Sequence, residues 1–135
     1  MQISSLEDRV RLAQLMMSLL DDWRISDRDR IALLGLPPQT RPRAMRRYAQ
    51  DTPLPDDPET MQRVEHLIGI ADALHTTYPH NARMGSIWMT AVNYRFDDRT
   101  PLACMVEDGL AGLVAVRSHL DCAYGWHLDE QMSRR

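Results

Sequence analysis

Apolar residues recur at intervals of three and four positions through most of the 135-residue chain. This spacing is typical of amphipathic α-helices, whereas the alternation of apolar and polar positions that marks strands is nearly absent. The first stripe lies between Ser5 and Trp23 and consists of Leu6, Val10, Ala13, Met17 and Leu20. Hydrophobic residues make up 44% of the chain, which is enough to form a buried core. The sequence therefore predicts an all-α fold.

Polar caps, glycine and proline divide the N-terminal region into three helices. Ser5 is positioned to cap the first helix, and Ser26 to cap a short second helix that ends at Gly35. The prolines that follow Gly35 prevent the second helix from continuing. We expect a third helix to begin at Thr40, with Pro42 tolerated in its first turn.

The stretch "DTPLPDDP", residues 51–58, contains three prolines and three aspartates and shows no core pattern. Such a composition is typical of a stiff, acidic linker. We therefore predict an N-terminal helix-turn-helix-like domain over residues 1–50 and a C-terminal helical domain over residues 59–135.

The C-terminal domain is predicted to be helical as well. A helix with an apolar stripe follows the linker, and a second one is expected from about Asn81 to Val92, with Met84, Ile87, Trp88 and Ala91 on one face. After the polar turn "NYRFDDRT", Thr100 is expected to cap a short helix that ends at Gly109. A last helix should run to about Tyr124, and the polar tail "YGWHLDEQMSRR" follows it.

The predicted third helix is rich in arginine. A helix, a glycine turn and a second helix are the arrangement of a helix-turn-helix, whose second helix enters the major groove of DNA. Arginine suits this role because its planar fork pairs with guanine edges and phosphates. The alternative is an ordinary solvated face, and the net charge of −3 argues against binding through the whole surface. The candidate DNA-binding residues are Gln39, Thr40, Arg41, Arg43, Arg46 and Arg47.

The sequence contains no pattern that favours catalysis. Its five histidines show no metal-ligand spacing, and no phosphate-binding or dinucleotide-binding glycine motif occurs. The carboxylates of "FDDRT" and "VEDG" are better explained as turn and capping residues than as an acid–base pair. We therefore expect a protein that is not an enzyme and that uses no metal or cofactor.

Cysteine content and hydropathy indicate the compartment. Cys104 and Cys122 are far apart and predict free thiols in a reducing environment. No apolar run is long enough to cross a bilayer. The expected location is the cytoplasm, without membrane association.

A set of residues in fixed order marks the C-terminal half: Arg63, Trp88, Asn93, the Pro101-Leu102 pair, Gly109 and Leu120. In this order and spacing, the half resembles the toxin-binding domain of the Xre/MbcA/ParS-type antitoxins. The N-terminal half is similar to that family's helix-turn-helix region, including Leu33, Leu34 and Gly35. The resemblance extends from about Trp23 to Asp121. The chain departs from the family at Asp97-Asp98, where a glycine pair is usual.

The resemblance implies an antitoxin of a type II toxin–antitoxin system. Its partner would be a RES-domain toxin that degrades NAD, bound in a hetero-oligomer. A homodimer that also binds operator DNA is implied as well. Tyrosine and tryptophan in the tail are suitable interface anchors, although Trp126 could instead pack on its own core. The candidate toxin-binding residues are Trp88, Asn93, Pro101, Leu102, Met105, Gly109, Arg117, Leu120, Asp121, Tyr124, Trp126 and Leu128.

The alternative function is a free-standing helix-turn-helix transcriptional regulator whose C-terminal domain only dimerises. The two hypotheses differ in the tail, because only the antitoxin hypothesis gives residues from Gly125 onward a binding role.

Overall fold

The computed structural model describes the backbone of residues 5–133 and the side chains of residues 5–122. Over this range the chain is helical, and its β-type pairing is limited to one bridge between Asn93 and Arg99. The all-α prediction is confirmed. No helix in the described part is long and apolar enough to cross a membrane. The helices are α1 (Leu6–Asp22), α2 (Asp27–Leu33), α3 (Ala44–Gln50), α4 (Pro58–Thr77), α5 (Met84–Thr90), α6 (Pro101–Asp108) and α7 (Leu110–Ser133), with a 3-10 helix at Tyr94–Phe96.

The chain forms two compact units, Met1–Val64 and Glu65–Arg135. The division lies within α4, not within the proline-rich stretch at residues 51–58 where the sequence placed it. Leu54 in that stretch is buried, and its carbonyl oxygen accepts a hydrogen bond from Arg9 Nη2 at 3.1 Å. Because a leucine stands among the prolines, the stretch packs onto the N-terminal unit instead of standing clear of it.

The caps of α1 and α2 form as predicted. Ser5 Oγ accepts a hydrogen bond from the Asp8 amide at 3.0 Å, and Ser26 Oγ accepts one from the Asp29 amide at 3.3 Å. The buried face of α1 is broader than the predicted stripe, and Leu6 lies outside it, exposed to solvent. That face consists of Leu12, Ala13, Met16, Met17 and Leu20.

The prediction that α3 begins at Thr40 is wrong. The helix begins at Ala44, and Arg43 occupies its N-cap position without a side-chain hydrogen bond. Pro42 disfavours helical geometry for the residue before it, so residues 37–44 form consecutive turns instead of a first helical turn. The resulting α3 is seven residues long and packs on α1 through buried Met45.

The helices of the C-terminal unit differ in length from the prediction. Thr100 caps α6 as expected, with Thr100 Oγ1 accepting from the Ala103 amide at 3.0 Å. The helix predicted for residues 81–92 is shorter at both ends, and Met89 is the buried residue of α5. Helix α7 continues past Tyr124 to Ser133, so the segment taken as a polar tail is helical. Gly125 was the only breaker there, and an isolated glycine within a helix is tolerated.

A left-handed residue ends each of the first two helices. Gly35 follows α2 at φ +67°, and Arg24 follows α1 at φ 58°. In both places the next amide reaches back to the last helical turn: Ile25 to the Leu20 carbonyl at 3.1 Å, and Leu36 to the Ile31 carbonyl at 3.0 Å. This is the Schellman arrangement, which favours glycine at the left-handed position. The left-handed conformation of Arg24 is therefore unfavourable in free energy, because Arg24 has a Cβ atom that glycine lacks.

Replacing Arg24 by glycine should raise the free energy of unfolding. We expect a gain of about 0.5–1 kcal/mol, since glycine removes the left-handed strain but adds freedom to the unfolded chain. Urea denaturation followed by circular dichroism measures the difference. The matched control is Arg24→Ala, which removes the same side chain yet keeps the Cβ atom. An equal gain in both variants would mean that the arginine side chain, and not the backbone geometry, is unfavourable.

Candidate functional site

The chain reverses direction between α5 and α6 through a tight turn. Asp97 and Asp98 occupy its centre with φ values of 58° and 60°. The Arg99 amide donates to the Phe96 carbonyl at 3.1 Å, and the Asn93 amide donates to the Arg99 carbonyl at 3.0 Å. Two successive left-handed residues closed in this way form a type I′ turn, which favours glycine and asparagine or aspartate. In the family that the sequence resembles, a glycine pair is usual at these two positions. In this chain, Asp97 and Asp98 adopt the left-handed conformation there that glycine favours.

Asn93 fixes the entry to this turn. Its side-chain oxygen accepts a hydrogen bond from the Arg95 amide at 3.0 Å and so caps the 3-10 helix. An asparagine suits the position because its short amide can bond to the backbone two residues further on. The role of Asn93 shown by these contacts is to shape the turn.

Three rings pack together on the inner side of the turn. The centroid of Trp88 on α5 is 6.4 Å from that of Phe96 and 6.3 Å from that of His119 on α7. Phe96 meets His119 edge to face at 5.4 Å. Such aromatic pairs add about 0.5–1.5 kcal/mol beyond area burial. Burial lowers the pKa of His119 below its ordinary value of 6.5, and the nearby positive charge of Arg95 lowers this pKa further.

Arg99 joins the turn to the end of α6. Its Nη2 donates to Asp108 Oδ2 at 2.8 Å, and its Nη1 donates to Glu107 Oε2 at 2.9 Å. Its Nε also donates to the Phe96 carbonyl at 3.1 Å. The guanidinium holds the pKa of Asp108 below its ordinary value. The carboxylates of "VEDG" are thus partners of an arginine, in agreement with a structural role.

Arg117 on α7 lies over Gly69 on α4. A methyl group at Gly69 would come within 2.5 Å of the guanidinium carbon, so a larger residue there would require the Arg117 side chain to move. Arg117 Nη1 is 3.3 Å from His66 Nδ1, and Arg117 Nε is 4.0 Å from Asp121 Oδ2. The sequence singled out Arg117 and Asp121 but missed Gly69 and His66, whose spacing of three positions on α4 places them on one helical face.

The structure brings the predicted toxin-binding residues into one unit but gives them different surroundings. Pro101, Met105 and Leu120 are buried, and Gly109 ends α6 at φ +63°. The partly exposed members are Trp88, Asn93, Leu102 and Arg117, and Asp121 is exposed. The side chains of Tyr124, Trp126 and Leu128 lie outside the described residues.

Three apolar side chains that the sequence did not single out as surface residues are exposed beside the turn. Ile87 is 51%, Val92 69% and Tyr94 75% exposed. The apolar face predicted for residues 81–92 is not the buried one: Met89 is the buried residue of α5, whereas Ile87 is exposed within the helix. Ala91 is exposed as well and lies beyond the end of α5 at Thr90. We call Ile87, Val92 and Tyr94 the α5 patch. The sequence feature that could have predicted this patch was the pair Val92 and Tyr94, which stands on either side of the polar Asn93.

The candidate DNA-binding residues lie on the N-terminal unit. Arg41, Arg43, Arg46 and Arg47 are all exposed, and within the part that the structure describes their side chains form no ion pair. Arg46 and Arg47 belong to α3, whereas Gln39, Thr40 and Arg41 lie in the turns before it. The arrangement is an exposed basic surface whose residues come partly from turns and partly from a helix.

A bacterial protein is similar to this chain over most of its length. No protein-family model matches the chain. The chain is 27% identical, over 107 residues that make up 79% of each protein, to the uncharacterized protein y4oB of Sinorhizobium fredii. The matched length exceeds that of either compact unit, so the similarity extends over parts of both. Among the described residues, no cluster of His, Cys, Asp or Glu is arranged to hold a metal ion.

The His119 environment predicts a loss of stability at mildly acidic pH. A histidine whose pKa is lowered by folding takes up a proton more readily when unfolded, so the free energy of unfolding falls as pH decreases below 6.5. Urea denaturation at fixed values from about pH 7.5 to about pH 5 measures this change. His119→Phe keeps a ring in the cluster and should flatten the profile in this window.

The control for this prediction is Arg95→Gln, which leaves the ring buried and removes only the second cause of the shift. The pH dependence should persist in that variant with a smaller amplitude. An unchanged profile in His119→Phe would show that His119 does not carry the effect.

Proposed function

We propose that the protein is the antitoxin of a type II toxin–antitoxin system and neutralises a RES-domain, NAD-degrading toxin by direct binding. The observation that carries the proposal is the backbone of Asp97 and Asp98. The sequence departed from the resembled family at these two positions, and both adopt the left-handed conformation that a glycine pair accommodates. A glycine pair could adopt the same backbone, so the change of residue type at these positions is compatible with the proposal.

The surroundings of the other signature residues support the same proposal. Asn93 caps the turn, Pro101 begins α6, and Gly109 separates α6 from α7 with a positive φ. At its position in the pattern, each residue supplies what the local backbone requires: a cap, a helix start or a positive φ. Such agreement between pattern and geometry is what a shared fold requires.

Helix α7 supports a binding role for the C-terminal segment. It extends to Ser133, so the backbone of the segment with Tyr124, Trp126 and Leu128 is helical. A helix that presents large anchors to a groove is a common mode of recognition. In the proposed complex this segment contacts the toxin, and tyrosine and tryptophan contribute most per residue.

The second proposed activity is binding of operator DNA by the basic surface of the N-terminal unit. Four exposed arginines without ion-pair partners in the described part of the chain can contact phosphates. A homodimer would present two such surfaces, as specific DNA binding by small domains requires. The same observation favours the alternative of a free-standing transcriptional regulator, which differs in having no toxin partner.

Co-expression tests the antitoxin proposal. The full chain should restore growth of cells that express a RES-domain toxin encoded beside its gene, and the purified pair should elute together. A chain that ends at Tyr124 keeps most of α7 but should lose neutralisation, since the proposed anchors Trp126 and Leu128 are gone. Operator binding by this truncated chain serves as the control for folding. Continued killing in the presence of the full chain would refute the antitoxin proposal.

Substitution of arginines tests DNA binding. Arg46→Gln and Arg47→Gln should each weaken binding to the upstream DNA of the gene and reduce the slope of log affinity against log salt by roughly one. Fluorescence anisotropy at several salt concentrations gives both quantities. Arg24→Gln and Arg28→Gln remove exposed arginines of the same unit outside the basic surface and are the matched controls. Equal effects of all four substitutions would show that only net charge matters.

A further inference from the structure

The α5 patch places three large apolar side chains on the surface within residues 87–94. Single exposed apolar residues are ordinary, whereas three within eight consecutive residues, two of them on either side of Asn93, favour an interaction site. Ile87 projects from α5, Val92 lies just beyond the helix, and Tyr94 begins the 3-10 helix. The fold already has a buried residue in this segment, Met89, so burial of the core does not account for the other three.

Two arginines border the α5 patch. Arg95 Cζ lies 5.6 Å from the centroid of the Tyr94 ring, and Arg83 stands one helical turn before Ile87 on the same face of the chain. Both arginines are exposed, and in the described part neither forms an ion pair. Their charges therefore remain available to carboxylates from outside the chain.

The acidic residues nearby follow the α5 patch in the turn and at the end of α6. Asp97 lies close enough to Cys104 on α6 for its charge to contribute to raising the pKa of that thiol, after burial, which is the largest cause. Glu107 and Asp108 are engaged by Arg99. Asp98 is exposed at the tip of the turn. Residues 84–94 carry no charge, so the charges nearest to the α5 patch in the sequence are the cationic ones of Arg83 and Arg95.

We infer that the α5 patch is a docking surface for a protein segment that is apolar at its centre and carries aspartate or glutamate at its edge. Tyrosine and arginine are enriched in the energetically dominant parts of protein interfaces, and complementary charges guide association. A nucleic acid would meet Ile87 and Val92, which offer neither hydrogen bonds nor a ring for base stacking. The inference rests on the proposed function in one respect: it takes the toxin as the protein that supplies the segment.

This surface is separate in sequence from the proposed anchors on α7. The toxin would accordingly be held by two elements of the C-terminal unit, the α5 patch and the end of α7. Loss of the α5 patch alone should weaken the complex without abolishing it, because the end of α7 contributes its own share of the binding free energy.

The test compares substitutions at the α5 patch in the full chain with the purified RES-domain toxin. Ile87→Ser, Val92→Ser and Tyr94→Ser together should raise the dissociation constant about 10- to 100-fold, as expected for loss of interface anchors. The three side chains are exposed, so the melting temperature should change little. The matched control is Leu6→Ser with Leu15→Ser, which removes two exposed apolar residues of the N-terminal unit and should leave toxin binding unchanged.

Charge reversal tests the chemistry of the partner segment. Arg83→Glu with Arg95→Glu should slow association, and the difference from the unchanged protein should shrink as salt is raised. Hydrogen exchange of the complex then identifies the toxin segment protected by residues 83–96. Arginine substitutions at acidic residues of that toxin segment should restore binding to the charge-reversed chain.

The outcomes separate the two proposals. If the toxin binds the unchanged chain and binds the patch variants equally well, the docking inference is wrong and the antitoxin proposal stands. If apolar substitution weakens binding but charge reversal does not, the acidic character of the partner segment is wrong. Absence of any complex with the unchanged chain overturns the antitoxin proposal and the docking inference together.

Discussion

The C-terminal unit depends on the reversal of the chain between Asn93 and Arg99. Two left-handed residues at the centre of a type I′ turn bring Asn93 and Arg99 together, so that Phe96 is buried and Arg99 reaches the end of α6. If the turn opened, the hydrogen bond between Asn93 and Arg99 would be lost, and the rings that meet at Phe96 would separate. Aspartate is one of the few residues with a side chain that tolerates this geometry, and two in succession store strain that glycine would not.

Arginine performs several structural tasks in a chain that contains no lysine. Arg30 is buried, donates to the Ile25 carbonyl at 2.9 Å and pairs with Asp21. Arg63 reaches the Ala32 carbonyl at the end of α2 and lies against Gly35, where any Cβ atom would meet it within 3 Å. A planar group with five donors can satisfy carbonyls and carboxylates at once, which a single ammonium cannot. Because these arginines are engaged, the exposed ones without ion pairs in the described part of the chain stand out as candidates for external contacts.

The sequence predicted well which helices form, but it predicted only some of their first and last residues correctly. Ser5, Ser26 and Thr100 form the predicted caps, because a cap depends on local hydrogen bonds that the sequence specifies directly. The start of α3 was wrong because Pro42 affects its predecessor more strongly than Thr40 favours a helix. Close contacts between helices, such as the one at Gly112, could not be predicted from the sequence. A Cβ atom at Gly112 would collide with the Cys104 carbonyl oxygen, and only the packing of α7 on α6 reveals this contact.

The same distinction explains which parts of a binding surface a sequence can reveal. A pattern such as Asn93, Pro101 and Gly109 reports residues that shape the backbone, and the structure gives each a task within the fold. Residues that meet a partner need only be exposed and chemically suited to it, as Val92 and Tyr94 are, and no periodicity marks them. A turn whose backbone is determined by its own residues is a suitable support for such side chains, since little conformational freedom is then lost on binding. Val92 and Tyr94 of the α5 patch flank Asn93, which caps the 3-10 helix at the entry to the turn, and this position favours their use as a pre-organised contact surface.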